Sequence, residues 1–177
     1  NIPPYGSWAT AATNVQAAID LDLGLVPVVV TNGVYEVGGR AVYSNMTNRV
    51  AITRAIEVRS VNGPAVTVIK GRGPAGSGAV RCAYITNGAS LIGFTLTNGF
   101  TLASGDSAKA RSGGGAWCEA GGVISNCVIV SNTASLYGGG AYMGSIYASM
   151  VAYNLGYYGG GIYYGATVDN CTMSSNQ

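Results

Sequence analysis

The stretch Asn126-Cys127-Val128-Ile129-Val130-Ser131-Asn132 returns as Ala148-Ser149-Met150-Val151-Ala152-Tyr153-Asn154 and again as Asn170-Cys171-Thr172-Met173-Ser174-Ser175-Asn176, at a spacing of 22 residues. Each copy places a short alternating run between a Cys or Ser and an Asn five residues on. Period-two alternation over so few positions is a strand signature. Asn readily leaves the extended region, so it ends the strand and turns the chain. Working outward, Asn-Gly endings recur upstream at Asn32-Gly33, Asn62-Gly63, Asn87-Gly88 and Asn98-Gly99. Glycine triplets at 113–115, 138–140 and 159–161 are each followed by a small or aliphatic residue and an aromatic: Ala116-Trp117, Ala141-Tyr142 and Ile162-Tyr163.

A fixed register between successive turns means that each strand starts again above the one before it and pairs with it in parallel. Identical turn residues then stack, Asn upon Asn. A period of about 22 excludes the helical repeats of about 33–34 residues, and the leucine-rich pattern is absent. A β-sandwich with Gly-rich turns would not keep such a register. The sequence predicts an all-β chain, a right-handed parallel β-helix built as a solenoid of coils of about 22 residues, with 1–177 as one domain. Trp8, Ala11, Ala12, Val15, Ala18 and Ile19 fall at helical spacing, with Ser7 and Thr10 available as N-caps. A helix over 8–20 is therefore predicted to cap the open end of the solenoid, with 26–37 as the first coil. The polar segment 100–112, with Asp106, Lys109 and Arg111, reads as a loop thrown out from one turn. Ser174–Gln177 carries no polar cap, so that end is expected either to stack on another copy, building filaments, or to continue into further coils.

Hydrophobic residues make up 48% of the chain and charged residues 9%, the opposite of a disordered composition. Polarity comes from Ser, Thr, Asn and Gly, which leans toward an extracellular or cell-surface protein. No apolar run is long enough to span a bilayer, and Asn1-Ile2-Pro3-Pro4 lacks the basic start and apolar stretch of a signal peptide. There is no His, and the 4 Cys form no CxxC pair, which argues against zinc. The 7 acidic residues are scattered, whereas calcium needs several clustered oxygens and a glycosidase two facing carboxylates. No catalytic residue, metal or cofactor is expected, and a net charge of +2 without a binding motif argues against nucleic acid.

Two sets of residues remain as candidates. Arg40, Arg49, Arg54, Arg59, Lys70, Arg72 and Arg81 face one acid, Glu57, within 40–81. On neighbouring coils they would form either a basic face for acidic polysaccharide or long side chains covering apolar surface. Trp117, Tyr142 and Tyr163 share one position after the triplets, and Tyr137 and Tyr158 precede successive triplets. Such ladders either offer flat faces to sugar rings or stack structurally. Cys127 and Cys171 share a ladder position two coils apart, ~9–10 Å by strand spacing and beyond disulfide reach. Cys82 and Cys118 fall in adjacent coils but offset, so buried free thiols are expected. Asn45-Met46-Thr47 and Asn170-Cys171-Thr172 match the glycosylation pattern.

The order of the helix, then Val29-Val30-Thr31-Asn32-Gly33-Val34-Tyr35, then Val58-Arg59-Ser60-Val61-Asn62-Gly63-Pro64 resembles the start of pectate-lyase-like β-helix proteins. The Gly-Gly-Gly-Ala-Tyr units and Asp169-Asn170-Cys171-Thr172 resemble repeat-rich secreted or surface β-helix proteins of environmental bacteria. The resemblance spans essentially the whole chain. It implies right-handed coils and, in many members, polysaccharide binding or lyase-type cleavage with a calcium held by Asp or Glu and an Arg or Lys base. Many repeat-rich members are surface proteins without known chemistry, and the carboxylate cluster of the enzymes has no counterpart here. The function expected is a non-catalytic structural or adhesive module. A polysaccharide-processing enzyme, or a carbohydrate-binding module for acidic glycans, is the alternative.

Overall fold

In a computed structural model, residues 6–21, 26–43, 45–165 and 167–177 are described. The short alternating runs form strands because every second side chain points inward, where most are apolar, and the others face out. The strands assemble three six-stranded sheets, which the chain visits in rotation, and one sheet of two strands, Thr133–Tyr137 beside Leu155–Tyr158. The first holds Val28–Val30, Glu57–Ser60, Ser90–Ile92, Val123–Ser125, Ser145–Tyr147 and Thr167–Asp169. The second holds Gly33–Tyr35, Thr67–Lys70, Thr95–Thr97, Val128–Val130, Met150–Ala152 and Thr172–Ser174. The third holds Arg40–Ala41, Thr47–Ile52, Val80–Ile85, Ala116–Cys118, Ala141–Tyr142 and Ile162–Tyr163. All pairings within the sheets are parallel except Arg40–Ala41, which runs antiparallel to Thr47–Ile52. The architecture is all-β and compatible with a parallel β-helix.

Register turns the sequence pattern into columns of core. Val58, Leu91, Ile124 and Ile146 face one another in the first sheet, and Ile69, Leu96, Ile129 and Val151 in the second. All of them are fully buried, and each such side chain contributes about 1.5–3 kcal/mol. Val168 and Met173 head these columns and are exposed, and the outer edges of their strands are unpaired among the described residues.

The period differs from the expected 22 in the first circuits. Val28 faces Val58, 30 residues on, and Val58 faces Leu91 and Leu91 faces Ile124, each 33 on; only the last two circuits, Ile124 to Ile146 to Val168, are 22 long. The extra residues enter at the corners: at 36–46, 71–79 and 98–115 between the second and third sheets, at 61–66 between the first and second, and at 53–56, 86–89 and 119–122 between the third and first. A corner can lengthen because lengthening it leaves the three paired strands in register. In the last circuits the corner between the second and third sheets is shortened and tightened by the triplets. Gly114 N–H donates to Gly138 O, Gly115 to Gly139 O and Gly140 to Gly160 O. A Cβ on Gly139 would lie 2.3 Å from Leu155 O, so no larger residue fits there.

The Asn ladder forms, but its residues do not themselves take the left-handed conformation. That falls to the preceding Ser131, Tyr153 and Ser175, whose φ are 56°, 56° and 52°. They turn the chain so that Asn132, Asn154 and Asn176 point inward. Asn154 Oδ1 accepts from both N and Nδ2 of Asn132, each at 3.0 Å, and its Nδ2 donates to Ile129 O and to Asn176 Oδ1. Every polar capacity of that amide is used. At the foot of the ladder, Asn132 Oδ1 accepts from Gly99 N–H and lies 3.5 Å from the Cys82 thiol. A second ladder runs through Cys127 and Ser149: Phe94 N–H donates to Cys127 Sγ and Cys127 N–H to Ser149 Oγ.

The N-terminal helix is shorter than the predicted 8–20. Trp8–Thr10 is a single 3-10 turn, the chain then breaks, and the α-helix spans Val15–Leu21. The N-cap is Asn14, whose Oδ1 accepts from Ala17 N–H at 2.8 Å; the Ser7 and Thr10 hydroxyls face each other instead. Trp8 is exposed rather than packed. Val15 and Ile19 close the core against Val28, Val50 and Ile52. Gln16 covers the strand edge: its Oε1 accepts from Ala51 N–H and its Nε2 donates to Ala51 O, as a neighbouring strand would. Asp22, part of the sequence's sparse set of acids, lies outside the described residues.

Candidate functional site

Chemistry needs convergent groups, and among the described residues the acids do not converge. Asp20 pairs with Arg40, Glu36 with Lys70 and Glu57 with Arg59. Asp106 Oδ1 accepts from Lys109 N–H inside its own loop. Asp169 is exposed on the last strand of the first sheet. Among the described residues, no group of three or more His, Cys, Asp or Glu side chains is placed to share a metal ion.

The seven basic residues are dispersed. Arg40, Arg59 and Lys70 sit in the surface ion pairs just named. Arg54 donates to Ile19 O near the end of the helix, and Arg72 donates twice to Gly78 O within its own loop. Arg49 is buried and donates to Lys70 O and Gly38 O, holding the 36–46 excursion to the next circuit. Arg81 is interior. It donates to Gly113 O, Asn48 Oδ1, Lys109 O and Ser112 O, which pins the 100–112 loop to the wall. Burial pulls its guanidinium down to about 9, and it stays charged at neutral pH. All but Arg59, which pairs along its own strand, support the corner between the second and third sheets or the cap, and the seven do not form one free cationic face.

The aromatic residues do converge. In the third sheet Ala83, Ala116, Ala141 and Ile162 point into the core, so their neighbours Tyr84, Trp117, Tyr142 and Tyr163 stand on the outer side in one column. Tyr84 and Trp117 stack at 5.5 Å and 10°, Trp117 and Tyr142 at 6.0 Å, and Tyr142 and Tyr163 at 6.2 Å and 8°. Tyr137 and Tyr158 form a second, adjoining stack at 5.6 Å, and Tyr137 meets Tyr163 at 4.4 Å. The ring faces are turned toward one another and the edges outward. This geometry favours the structural reading over a row of open platforms for sugar.

The column is covered at the Tyr84 end and, among the described residues, open at the Tyr163 end. Tyr43, from the 36–46 excursion, meets Tyr84 and Trp117 edge-on, Lys109 Nζ lies 4.7 Å from its ring, and Trp117 Nε1 donates to Ala108 O. Tyr84 and Trp117 are therefore buried although they face outward. Glu119 ties this end together, accepting from Tyr43 and Tyr84 hydroxyls, Thr86 Oγ1 and Asn87 N–H. The Tyr84 hydrogen bond leads in holding the Glu119 carboxyl below the usual range. Tyr84, Tyr43 and Glu119 were not singled out by sequence. Ala83-Tyr84 shares the small-aromatic pair of Ala116-Trp117 and could have been found without its missing triplet; Tyr43 and Glu119 carry no local signal.

The cysteines are free, with Cys82, Cys118 and Cys127 buried and Cys171 partly exposed. Cys118 pairs with Ile85, three residues along the strand from Cys82, which is the expected offset. Burial pushes the Cys82 and Cys118 thiols up to about 12 and Cys127 to about 11. Asn45 and Asn170 are both exposed. No helix among the described residues is long and apolar enough to cross a membrane. Comparison with protein-family models, with curated proteins and with solved structures finds no match.

Proposed function

We propose that the chain is a right-handed parallel β-helix of the pectate-lyase-like kind that acts outside the cell, or on its surface, as a non-catalytic structural or adhesive module. The observation that carries this reading is how the polar side chains are spent. The buried Asn ladder, Arg49, Arg81 and Gln16 satisfy backbone groups and hold excursions in place, three acids are held in separate surface ion pairs, and Glu119 is taken up by two tyrosine hydroxyls, Thr86 and Asn87. A hydrolase or lyase needs several such groups aimed at one cleft with capacity left over. The outer edges of Ile162–Tyr163, Thr167–Asp169 and Thr172–Ser174 are unpaired among the described residues, with Val168 and Met173 exposed beside them, which supports extension by a further circuit stacked there.

Uronate polymers incubated with the protein, with and without calcium, should give no unsaturated product. Accumulation of that product would replace this reading with the lyase one. Sedimentation over a range of concentrations tests the extension: association that grows with concentration supports it, and a monomer throughout counts against it.

A further inference from the structure

The tyrosines left uncovered by the stack lie together at its open end. Tyr157 and Tyr164 are each 74% exposed. Tyr157 meets Tyr158 at 4.7 Å, Tyr158 stacks on Tyr137, Tyr137 on Tyr163, and Tyr163 neighbours Tyr164 at 6.5 Å. Through Tyr142 the same unbroken contact reaches Trp117 and Tyr84. We propose that this cluster is an oxidative cross-linking site, at which a peroxide-driven one-electron oxidant converts Tyr157 and Tyr164 to phenoxyl radicals that couple to the same residues of a second copy.

Phenols, indoles and thiols are the side chains that lose an electron most readily, and three of the four thiols here are sealed in the core. Rings in contact share an electron vacancy, so oxidation of any member of the stack can be passed along it. Coupling needs two rings to meet, and buried Tyr84 and Trp117 cannot meet a partner. The exposed tyrosines can, so the product collects at Tyr157 and Tyr164. Each tyrosine gives up one electron and one proton, and a carbon–carbon bond forms between the ring positions next to the hydroxyls. The two electrons and two protons released reduce one peroxide to two waters. The inference rests on the extracellular reading only for the source of peroxide.

Tyr153 supplies an internal comparison: it is 64% exposed yet makes no ring contact among the described residues. Purified protein treated with a haem peroxidase and hydrogen peroxide should develop dityrosine fluorescence and covalent dimers, with the links mapping by peptide mass spectrometry to Tyr157 and Tyr164. The double variant Tyr157→Phe/Tyr164→Phe should lose most of the dimer, whereas Tyr153→Phe keeps it. Tyr142→Phe retains a ring but removes the oxidisable phenol, and should lower the yield per peroxide consumed. Dimers formed equally well by the double variant, links mapping equally to Tyr153, or an unchanged yield in Tyr142→Phe would overturn the proposal. None of these results would touch the structural reading, which needs no covalent link.

Discussion

Asn154→Ala removes four hydrogen bonds in one step, and the structure says how many matter. Asn132 Nδ2 keeps Leu96 O, and Asn176 Oδ1 keeps Asn154 N–H, so neither is stranded. Asn132 N–H loses its side-chain acceptor, and Ile129 O loses the amide that reaches it. A buried group left without a partner costs about 1–3 kcal/mol. With the small void left beside Gly140, the total comes to ~3 kcal/mol. For a chain of this size that lowers Tm by about 6–12 °C. Asn176→Ala is the control. It removes an equivalent amide from a partly exposed position where water can replace it, so it should cost about 1 kcal/mol. Urea unfolding followed by circular dichroism reads both. A cost for Asn154→Ala no larger than that of Asn176→Ala, at unchanged m, would refute the claim that the interior ladder fixes the corner.

Other expectations follow from the same contacts. Gly139→Ala should destabilise far more than Gly63→Ala, because the new Cβ meets backbone oxygens at 2.3 and 2.6 Å, whereas at Gly63 it meets open space and only a positive φ opposes it. Thermal melts of the two separate a steric cost from a conformational one. Glu119 has a depressed folded pKa, so its contribution is present above the unfolded value and lost as pH falls through the folded one; Glu119→Gln should flatten that part of the acid stability profile. Cys171 should react with a thiol reagent in the folded protein, and Cys82, Cys118 and Cys127 only in denaturant, since they are buried and their thiolates are disfavoured. Arg81→Met strips four carbonyl and amide acceptors of their donor, so limited proteolysis should cut 100–112 faster than in the parent while sparing the strands.

The repeat was legible because its marks are local. Asn132, Asn154 and Asn176 sit at equal spacing, and each follows an alternating run, so stacking could be read before any coordinate. The 30- and 33-residue circuits were not legible as such: their extra residues enter at the corners between sheets, where no periodicity is required and composition is that of any loop. The helix was overextended for a related reason. Ala11 and Ala12 fit helical spacing, but Asn14 offers a cap inside the pattern, and the amide of Gln16 is worth more on the edge at Ala51 than on a solvent face. Five of the seven basic residues do stand at the surface, and Arg49 and Arg81 do not, because sequence counts charge and not direction. Arg49 and Arg81 turn inward to carbonyls that become neighbours only once the excursions fold back.

The aromatic column is the feature that the fold itself does not require. At its base the same outward position of the third sheet is held by Ala51, and the sheet continues unchanged there. The core columns need Ala83, Ala116 and Ala141 on the inner side; they place no demand on what stands opposite. The triplets do not demand it either, since Tyr84 follows no triplet and still stacks. Aromatic rings have nonetheless been placed at four successive circuits, sealed at one end by Tyr43 and the 100–112 loop and left open at the other. Stacking contributes to stability by about 0.5–1.5 kcal/mol per pair, which accounts for the rings that are covered. It does not account for leaving Tyr157 and Tyr164 in water, where their apolar surface is of no benefit to the folded state. Tyr157 and Tyr164 set exposed, readily oxidised rings in contact with that stack, which is the arrangement the proposed cross-linking uses.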